Sequence, residues 1–220
     1  MTNRLAIFDC DGTLVDSQHN ICTAMDRAFE AVKLVPPPRH RTLAVVGLSL
    51  PEAMAALLPD AEADFHIHVA ENYKLAFQAM RGRGLVHEPL YAGIAELVER
   101  LDKEGWLLGV ATGKSDRGLQ ICLSHHGLVE KFVTLQTADR HPSKPHPSMI
   151  AQAMADAGAA QETTVMIGDT SFDMEMAVNA RTPGLGVAWG YHSPQELIAS
   201  GARSVALDAD ELYGHIATHD

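Results

Sequence analysis

Two aspartates near the start of the chain carry the clearest chemical signal in the sequence. Asp9 and Asp11 follow the apolar segment 4–8, which is short enough to form one buried strand. Residues two apart on a strand point to the same face, so both carboxylates leave this strand side by side while Cys10 faces away. Carboxylates this close repel each other, and Mg²⁺ offsets the repulsion while keeping places for water and phosphate. The pair alone is compatible with a metal site or with a polar turn after a strand.

Three later segments contain groups that could bind phosphate or a metal ion. The first and the third follow apolar, strand-like runs at 107–111 and 164–167, and the second is a lysine near prolines. Each also has an ordinary structural interpretation, because hydroxyls and aspartates cap helices and a lone loop lysine is usually solvated. The residues are Thr112 and Gly113, then Lys144, then Asp169 and Asp173.

The hydrophobic pattern divides the chain into a helical block and an alternating part. Between 16 and 83 the apolar residues recur at helical spacing, and no strand-like run interrupts them. From 84 onward, helical and strand-like segments alternate, which predicts a parallel sheet with helices on both faces. The predicted fold is α/β: a Rossmann-like core domain of residues 1–15 and 84–220 with an inserted α-helical cap domain of residues 16–83. Ligands of such sheets bind beyond the carboxyl ends of the strands, where the polar segments lie.

The four polar segments together resemble the haloacid dehalogenase superfamily, whose members mostly transfer phosphoryl groups through an aspartyl-phosphate. The motifs occur in the family's order across residues 9–173, which is most of the chain. The segments 9–17 and 168–174 are most similar to the phosphoglycolate phosphatase-like branch, whose members have a helical cap. The resemblance implies a Mg²⁺-dependent phosphatase, a phosphoric monoester hydrolase that acts on a small phosphorylated metabolite such as 2-phosphoglycolate.

The resemblance also implies a role for each polar residue. Asp9 would be the nucleophile, and Asp11 would be the general acid and later the base that activates water. Mg²⁺ would be bound by the carboxylates of Asp9 and Asp169 and by the backbone carbonyl of Asp11. Asp173 would lie beside them, within reach of Lys144 or of a metal-bound water. The implied phosphate-binding residues are Thr112, Gly113 and Lys144.

The composition limits the partners and the location that we expect. The chain of 220 residues has a net charge of −11, whereas proteins that bind nucleic acid need clustered Lys and Arg. No polybasic stretch indicates a membrane surface, and no apolar run approaches the roughly 20 residues of a membrane span. The three cysteines are widely spaced and odd in number, which fits a reducing compartment. We therefore expect a cytoplasmic protein without a nucleic-acid or membrane partner; the sequence does not predict its oligomeric state.

Two other functions share this acidic motif set. A phosphosugar mutase of the same superfamily, such as a β-phosphoglucomutase, is disfavoured because Gly168 precedes Asp169 where mutases of that branch tend to have Glu. A non-catalytic phosphoacceptor of the response-regulator kind is disfavoured by Asp11, because a receiver needs an acceptor but no neighbouring acid. The sequence therefore favours a phosphatase.

Two arginines in the predicted cap are candidates for substrate specificity. Arg39 and Arg41 follow the rigid segment 36–38, which consists of three prolines. An arginine can bind a carboxylate or a second phosphate with two hydrogen bonds. The alternative interpretation is that both are solvated charges on a surface loop.

Overall fold

A parallel sheet forms the centre of the structure, a computed structural model that describes residues 3–218. Within those residues it contains six strands: β1 (Asn3–Phe8), β2 (Leu107–Thr112), β3 (Phe132–Thr137), β4 (Ala159–Gly168), β5 (Gly184–Val187) and β6 (Ala202–Ala206). The order across the sheet is β3-β2-β1-β4-β5-β6, and all neighbouring strands are parallel. The first strand of the chain therefore lies in the middle of the sheet, between β2 and β4.

Helices fill most of the remaining chain. Four of them follow β1 without an intervening strand: α1 (Gln18–Ala31), α2 (Arg39–Leu43), α3 (Leu50–Leu57) and α4 (Ala63–Gly82). The others alternate with strands: α5 (Ile94–Lys103), α6 (Asp116–His125), a 3₁₀ turn (Val129–Lys131), α7 (Ser148–Ala157), α8 (Ser171–Ala180), α9 (Pro194–Ala199) and α10 (Ala209–Ala217). None of the helices in the described range 3–218 is long and apolar enough to cross a membrane.

The sheet is buried on both faces because alternate residues of its strands pack against different helices. On β1, Ala6 and Phe8 join a core cluster with α5, α6 and α10, and Cys10 continues that face beyond the strand. Leu5 and Ile7 point to the opposite face and pack against α7 and α8. The predicted α/β architecture, with helices on both faces of a parallel sheet, is confirmed. Cys10 also faces away from the two aspartates, as the alternation predicts.

Helices α1 to α4 pack on one another around a separate apolar cluster. Their buried side chains include Met25 and Phe29 of α1, Met54 of α3, and Val69 of α4. The two connections to the sheet run side by side, where the Asp16 amide donates to the Pro89 carbonyl oxygen at 2.9 Å. The predicted cap boundaries of 16 and 83 lie just outside the first and last of these helices, and the division into domains stays a prediction.

Several elements differ from the sequence pattern in extent. Strand β4 begins at Ala159, five residues before the apolar run, because its first half is polar and partly exposed. Helix α2 occupies the segment after Pro38, where the pattern indicates only a turn, since five residues are too few for a visible period. Helices α9 and α10 are also absent from the predicted elements.

Candidate active site

The predicted site residues meet at the carboxyl end of the sheet because their strands are neighbours. Asp9 follows β1, Thr112 ends β2, and Asp169 follows β4. The Asp9 amide donates to the Ile167 carbonyl oxygen at 2.9 Å, which extends the pairing of β1 with β4 up to the site. Residues separated by more than a hundred positions in the chain are thereby brought to one place.

Asp9 is buried, and one of its two carboxylate oxygens has no partner. Its Oδ1 accepts hydrogen bonds from the Cys10 amide at 2.6 Å and from Lys144 Nζ at 3.0 Å. Its Oδ2 is enclosed and accepts no hydrogen bond from any residue within 3–218. Burial raises the pKa of Asp9 to about 6, against the opposing charge of Lys144 and with a further contribution from Asp173 and Asp11. The free oxygen is therefore costly unless a ligand binds it.

Asp169 lies beside Asp9 and is fully buried. Its Oδ1 accepts from Thr13 Oγ1 at 2.8 Å, and its Oδ2 accepts from the Tyr191 amide at 2.9 Å. Burial raises the pKa of Asp169 well above its ordinary value, and the nearby carboxylates of Asp173 and Asp9 raise it further. Each carboxylate oxygen retains a second lone pair, so Asp169 is held in place and still able to bind a cation.

Lys144 and Asp173 form a buried ion pair that borders Asp9. Lys144 Nζ lies 2.6 Å from Asp173 Oδ1. Burial would lower the pKa of Lys144, but the charges of Asp173 and Asp9 raise it above its ordinary value, so the lysine stays positive. Asp173 Oδ2 accepts from the Thr170 amide at 3.1 Å and from its hydroxyl at 2.7 Å, which caps α8.

The carboxylates of Asp9, Asp169 and Asp173 form a cluster that fits a divalent cation. Their nearest oxygens all lie within 4.8 Å of one another, and all three residues are buried. Asp173 Oδ1 lies against the Lys144 ammonium and its Oδ2 accepts two hydrogen bonds from Thr170, whereas each oxygen of Asp169 accepts only one hydrogen bond from the described residues. Oxygen donors of this kind are the ligands that Mg²⁺ prefers. The geometry therefore favours Asp9 and Asp169 as ligands, with Asp173 orienting Lys144.

Asp11 points away from this cluster and into a second polar network. Its Oδ1 accepts from Ser17 Oγ at 2.5 Å and from Lys114 Nζ at 2.7 Å. Lys114 Nζ also donates to Glu88 Oε1 at 2.9 Å, and Glu88 Oε2 lies 3.4 Å from an Arg81 nitrogen. Burial opposes the charge of Lys114, yet the carboxylates of Asp11 and Glu88 raise its pKa well above the ordinary value. Asp11 is thus connected to the last turn of α4 by a chain of ion pairs that runs through Lys114, Glu88 and Arg81.

Thr112 does not serve as a helix cap. Ser115 caps α6 and accepts from the Gly118 amide at 3.1 Å, which leaves the buried Thr112 hydroxyl available as a donor. Of the two hydroxyls in this segment that could begin the helix, Ser115 does so and Thr112 does not. A hydroxyl and backbone amides at the start of a helix are suited to a phosphoryl group.

Two glycines are required by the close approach of other groups. Gly12 has φ +88°, and a Cβ at this position would lie 2.2 Å from Asp169 Oδ2. A Cβ on Gly113 would lie 2.7 Å from the Leu48 carbonyl oxygen and 2.8 Å from that of Gly47, both in the loop between α2 and α3. Side chains at these positions would displace a candidate ligand or the loop that covers the site.

A cleft of about 920 Å³ lies between the sheet end and the cap helices. Asp9, Asp11, Thr112 and Gly113 line it on the sheet side, and residues of α1, α4 and the α2–α3 loop line the other side. Arg39 and Arg41 are exposed on α2 and are not among its lining residues. Arg39 instead donates to Gln18 Oε1 at 2.8 Å. The structure therefore does not bring these arginines to the site, because α2 turns them outward.

Sequence reasoning missed several residues that hold the site together. Lys114 directly follows the predicted phosphate-binding pair, and Thr13 and Ser17 lie inside the first motif, so each had a local signal. Glu88 and Tyr191 had none, because their positions depend on how two distant loops fold over the sheet end.

Comparison with known proteins places the chain in a family. A family model described as haloacid dehalogenase-like hydrolase matches residues 6–187, and the chain therefore belongs to that family. The predicted family is confirmed, as is the prediction of an enzyme of the phosphatase type, a hydrolase.

Individual relatives extend over almost the whole chain. A Dickeya dadantii protein named "Probable phosphatase IndB" is 33% identical over 216 residues, covering 96% of this chain and 92% of that protein. A Vibrio parahaemolyticus protein named phosphoglycolate phosphatase is 27% identical, with 97% of this chain and 96% of that protein covered. The crystal structure of a "predicted phosphatase" from Clostridium acetobutylicum matches with a TM-score of 0.89 and 25% identity, over 99% of this chain and 100% of that one.

Proposed function

We propose that this chain is a Mg²⁺-dependent phosphatase that hydrolyses a small phosphomonoester metabolite through an aspartyl-phosphate on Asp9. The observation that carries the proposal is the buried Asp9 Oδ2, which has no partner among the described residues. Asp9 also lines the cleft and lies 3.0 Å from the fixed positive charge of Lys144. A carboxylate oxygen so placed is suited to attack a phosphorus atom.

The acidic cluster supports the metal dependence. Asp9 and Asp169 would hold the ion with their carboxylates, and the family resemblance adds the backbone carbonyl of Asp11. Burial raises the pKa of Asp9 and Asp169, and repulsion between the neighbouring carboxylates raises it further. When bound, Mg²⁺ would neutralise that charge and the charge on the phosphoryl oxygens.

The protein groups account for both halves of the reaction. Asp9 Oδ2 attacks phosphorus, the bond to the leaving oxygen breaks, and Asp11 donates a proton to that oxygen. Lys144, the Thr112 hydroxyl and the Gly113 amide stabilise the negative charge of the phosphoryl oxygens. Asp11 then takes a proton from water, which attacks the same phosphorus and releases inorganic phosphate and free Asp9. Ser17 and Lys114 bind Oδ1 of Asp11, so its other oxygen can carry the proton.

The site's partner would be a phosphorylated metabolite small enough to enter the cleft. Phosphoglycolate is the substrate in the names of several relatives at 27–30% identity. The test is release of inorganic phosphate from a panel of phosphomonoesters with Mg²⁺, with the Asp9→Asn variant and an EDTA-treated sample beside it. Phosphate release by wild type alone, and only with the metal, supports the proposal; release by all three samples contradicts it.

A further inference from the structure

The cap side of the cleft contains an apolar patch with two aromatic rings, beside polar residues of the same helix. Tyr73 and Phe77 lie four residues apart on α4, so they share one face of the helix, and both line the cleft. Their ring centroids are 6.0 Å apart, with the planes inclined by 36°. Ile21 and Met25 of α1 have the same spacing and line the cleft as well. A ligand that binds against these four residues would contact aliphatic and aromatic side chains.

Tyr73 adds one polar group to this patch. Its hydroxyl makes no hydrogen bond with any residue of the described range 3–218. Burial and the nearby Asp11 carboxylate raise the pKa of Tyr73, so its hydroxyl stays protonated and able to donate. A tyrosine with a packed ring and a free hydroxyl is suited to a partner with an apolar face and an acceptor atom.

Most positive charges around the cleft already have anionic partners. Lys114 is paired with Asp11 and Glu88, and Lys74 lies 2.7 Å from Glu71. The Arg81 guanidinium lies 5.1 Å from the Phe77 ring centroid and is also paired with Glu88. A distal carboxylate would have to compete with Asp11, Glu88 or Glu71 for any of these three cations. The remaining lining arginine, Arg117, is exposed on α6.

We propose that the substrate's leaving group carries an aromatic or heteroaromatic ring that packs against Tyr73 and Phe77. The inference rests on the proposed phosphatase function and narrows its substrate class. A cleft of about 920 Å³ is near the upper end of the roughly 300–1,000 Å³ found for small-molecule sites, and a glycolate-sized group would fill little of it. The ring fills the space between α1 and α4 while the phosphoryl group reaches Asp9.

The experiment compares ligands that differ only in the ring. 2-Phenylethyl phosphate and ethyl phosphate are both esters of primary alcohols, so their leaving groups are chemically similar, and 2-phosphoglycolate adds a carboxylate instead. We expect kcat/KM for the phenylethyl ester to exceed that of the other two by at least about tenfold, which corresponds to about 1.4 kcal/mol. The phosphonates 2-phenylethylphosphonate and ethylphosphonate, which cannot be hydrolysed, should show the same order of affinity by calorimetry.

Two variants of α4 localise the effect. In Phe77→Ala the ratio of kcat/KM for the phenylethyl ester to that for ethyl phosphate should fall by about tenfold, mainly through KM of the phenylethyl ester. Leu75→Ala is the matched control, because Leu75 is exposed on the same helix and is not among the cleft-lining residues.

The outcomes separate this inference from the proposed function. Hydrolysis that favours 2-phosphoglycolate, or equal affinity of the two phosphonates for the wild type, would overturn ring recognition and leave the phosphatase function standing. Tighter binding of the phenyl-bearing phosphonate without hydrolysis of any ester would support ring recognition and remove the phosphatase function. If Phe77→Ala does not fold, the affinities of the two phosphonates for the wild type still show whether the cleft recognises a ring.

Discussion

Buried carboxylates beside one another are the residue-level feature on which the account depends. Asp9, Asp169 and Asp173 are each 1% exposed or less, and within residues 3–218 the lysine that pairs with them is Lys144. Three negative groups and one positive group leave an excess of negative charge, which an apolar environment makes expensive. Without a bound cation, this excess of negative charge lowers the free energy of unfolding of the protein.

This cost should be measurable as a pH dependence of stability in EDTA. The pKa of Asp9 rises from 3.8 to about 6 on folding, so between these values the native state holds a proton that the unfolded chain has released. The contribution of Asp9 to stability is therefore lost as pH rises through that interval, and Asp169, whose pKa is also raised by burial, adds to the loss at higher pH. At pH 7, Asp9→Asn should be more stable than wild type by up to about 3 kcal/mol, a difference that vanishes near pH 4.

Urea unfolding at pH 4, 5, 6 and 7 provides the measurement. Asp60→Asn is the control, because Asp60 is exposed and does not belong to the buried acidic cluster. A stability difference for Asp9→Asn that stays constant with pH, or that favours the wild type at pH 7, would refute the assigned charge balance.

Lys144 should be more costly to remove than an exposed lysine. Lys144→Met leaves Asp9 and Asp173 without their shared cation, and breaking a buried ion pair costs about 3–5 kcal/mol. The double variant Lys144→Met/Asp173→Asn should recover part of that loss, because it also removes one stranded charge. Denaturant unfolding of the three proteins tests this expectation; a loss below about 1 kcal/mol would mean that solvent reaches the pair.

At the scale of elements, the loops after the strands assemble the site and a chain of ion pairs links it to the cap. Lys114 follows β2, Glu88 precedes α5, and Arg81 belongs to the last turn of α4. Their contacts at 2.9 and 3.4 Å connect the cap helix to Asp11 through two cations that share one carboxylate. The position of α4 and the position of the general acid are therefore coupled.

Glu88→Gln tests this connection. The amide keeps the shape but removes the charge that holds Lys114 and Arg81, so we expect a loss of about 2 kcal/mol in unfolding free energy and a lower kcat. Glu99→Gln is the matched control, because Glu99 also contacts two lysines but its side chain is 45% exposed. Glu99→Gln should leave the free energy of unfolding nearly unchanged, because solvent screens exposed ion pairs. Equal effects of the two substitutions would show that the Glu88 contacts are solvated.

The sequence predicted the elements with a long apolar period and missed those without one. β1, β2 and α5 were predicted almost to the residue, since burial makes their periodicity plain. Helix α9 has a capping box at Ser193 and Glu196, a signal that was present but not used. Helix α2 had no comparable signal, because a segment of five residues is too short to show a helical period. For the same reason the sequence did not indicate that Arg41 faces outward.

The arrangement of the site could also be predicted only in part from the sequence. Asp9 and Asp169 could be brought together from the sequence because parallel strands place their carboxyl ends at one edge of the sheet. The link from Asp11 to Lys114 and Glu88 could not, since it depends on side-chain directions in three loops. The spacing of the motifs indicates which residues lie near one another at the sheet edge. The packing of the loops determines which of their side chains make contact.

For the whole molecule, metal binding and folding should be linked. A ligand that binds only the native state stabilises it, by about 2.7 kcal/mol at a hundred times its dissociation constant. Mg²⁺ should therefore raise the melting temperature of wild type in calorimetry, and Asp169→Asn should abolish most of that increase. The Asp60→Asn control should respond like the wild type, whereas an equal response of Asp169→Asn would place the ion elsewhere.

The proposed reaction requires that Asp9 forms a covalent bond to phosphorus during turnover. An acyl phosphate is reduced by borohydride to an alcohol, so trapping during steady-state hydrolysis should convert Asp9 to homoserine, which peptide mass spectrometry can locate. We predict homoserine at position 9 only when Mg²⁺ and a phosphomonoester substrate are both present, and none after EDTA treatment. Active turnover with Asp9 unmodified in every trapped sample, or homoserine at another aspartate, would contradict the account.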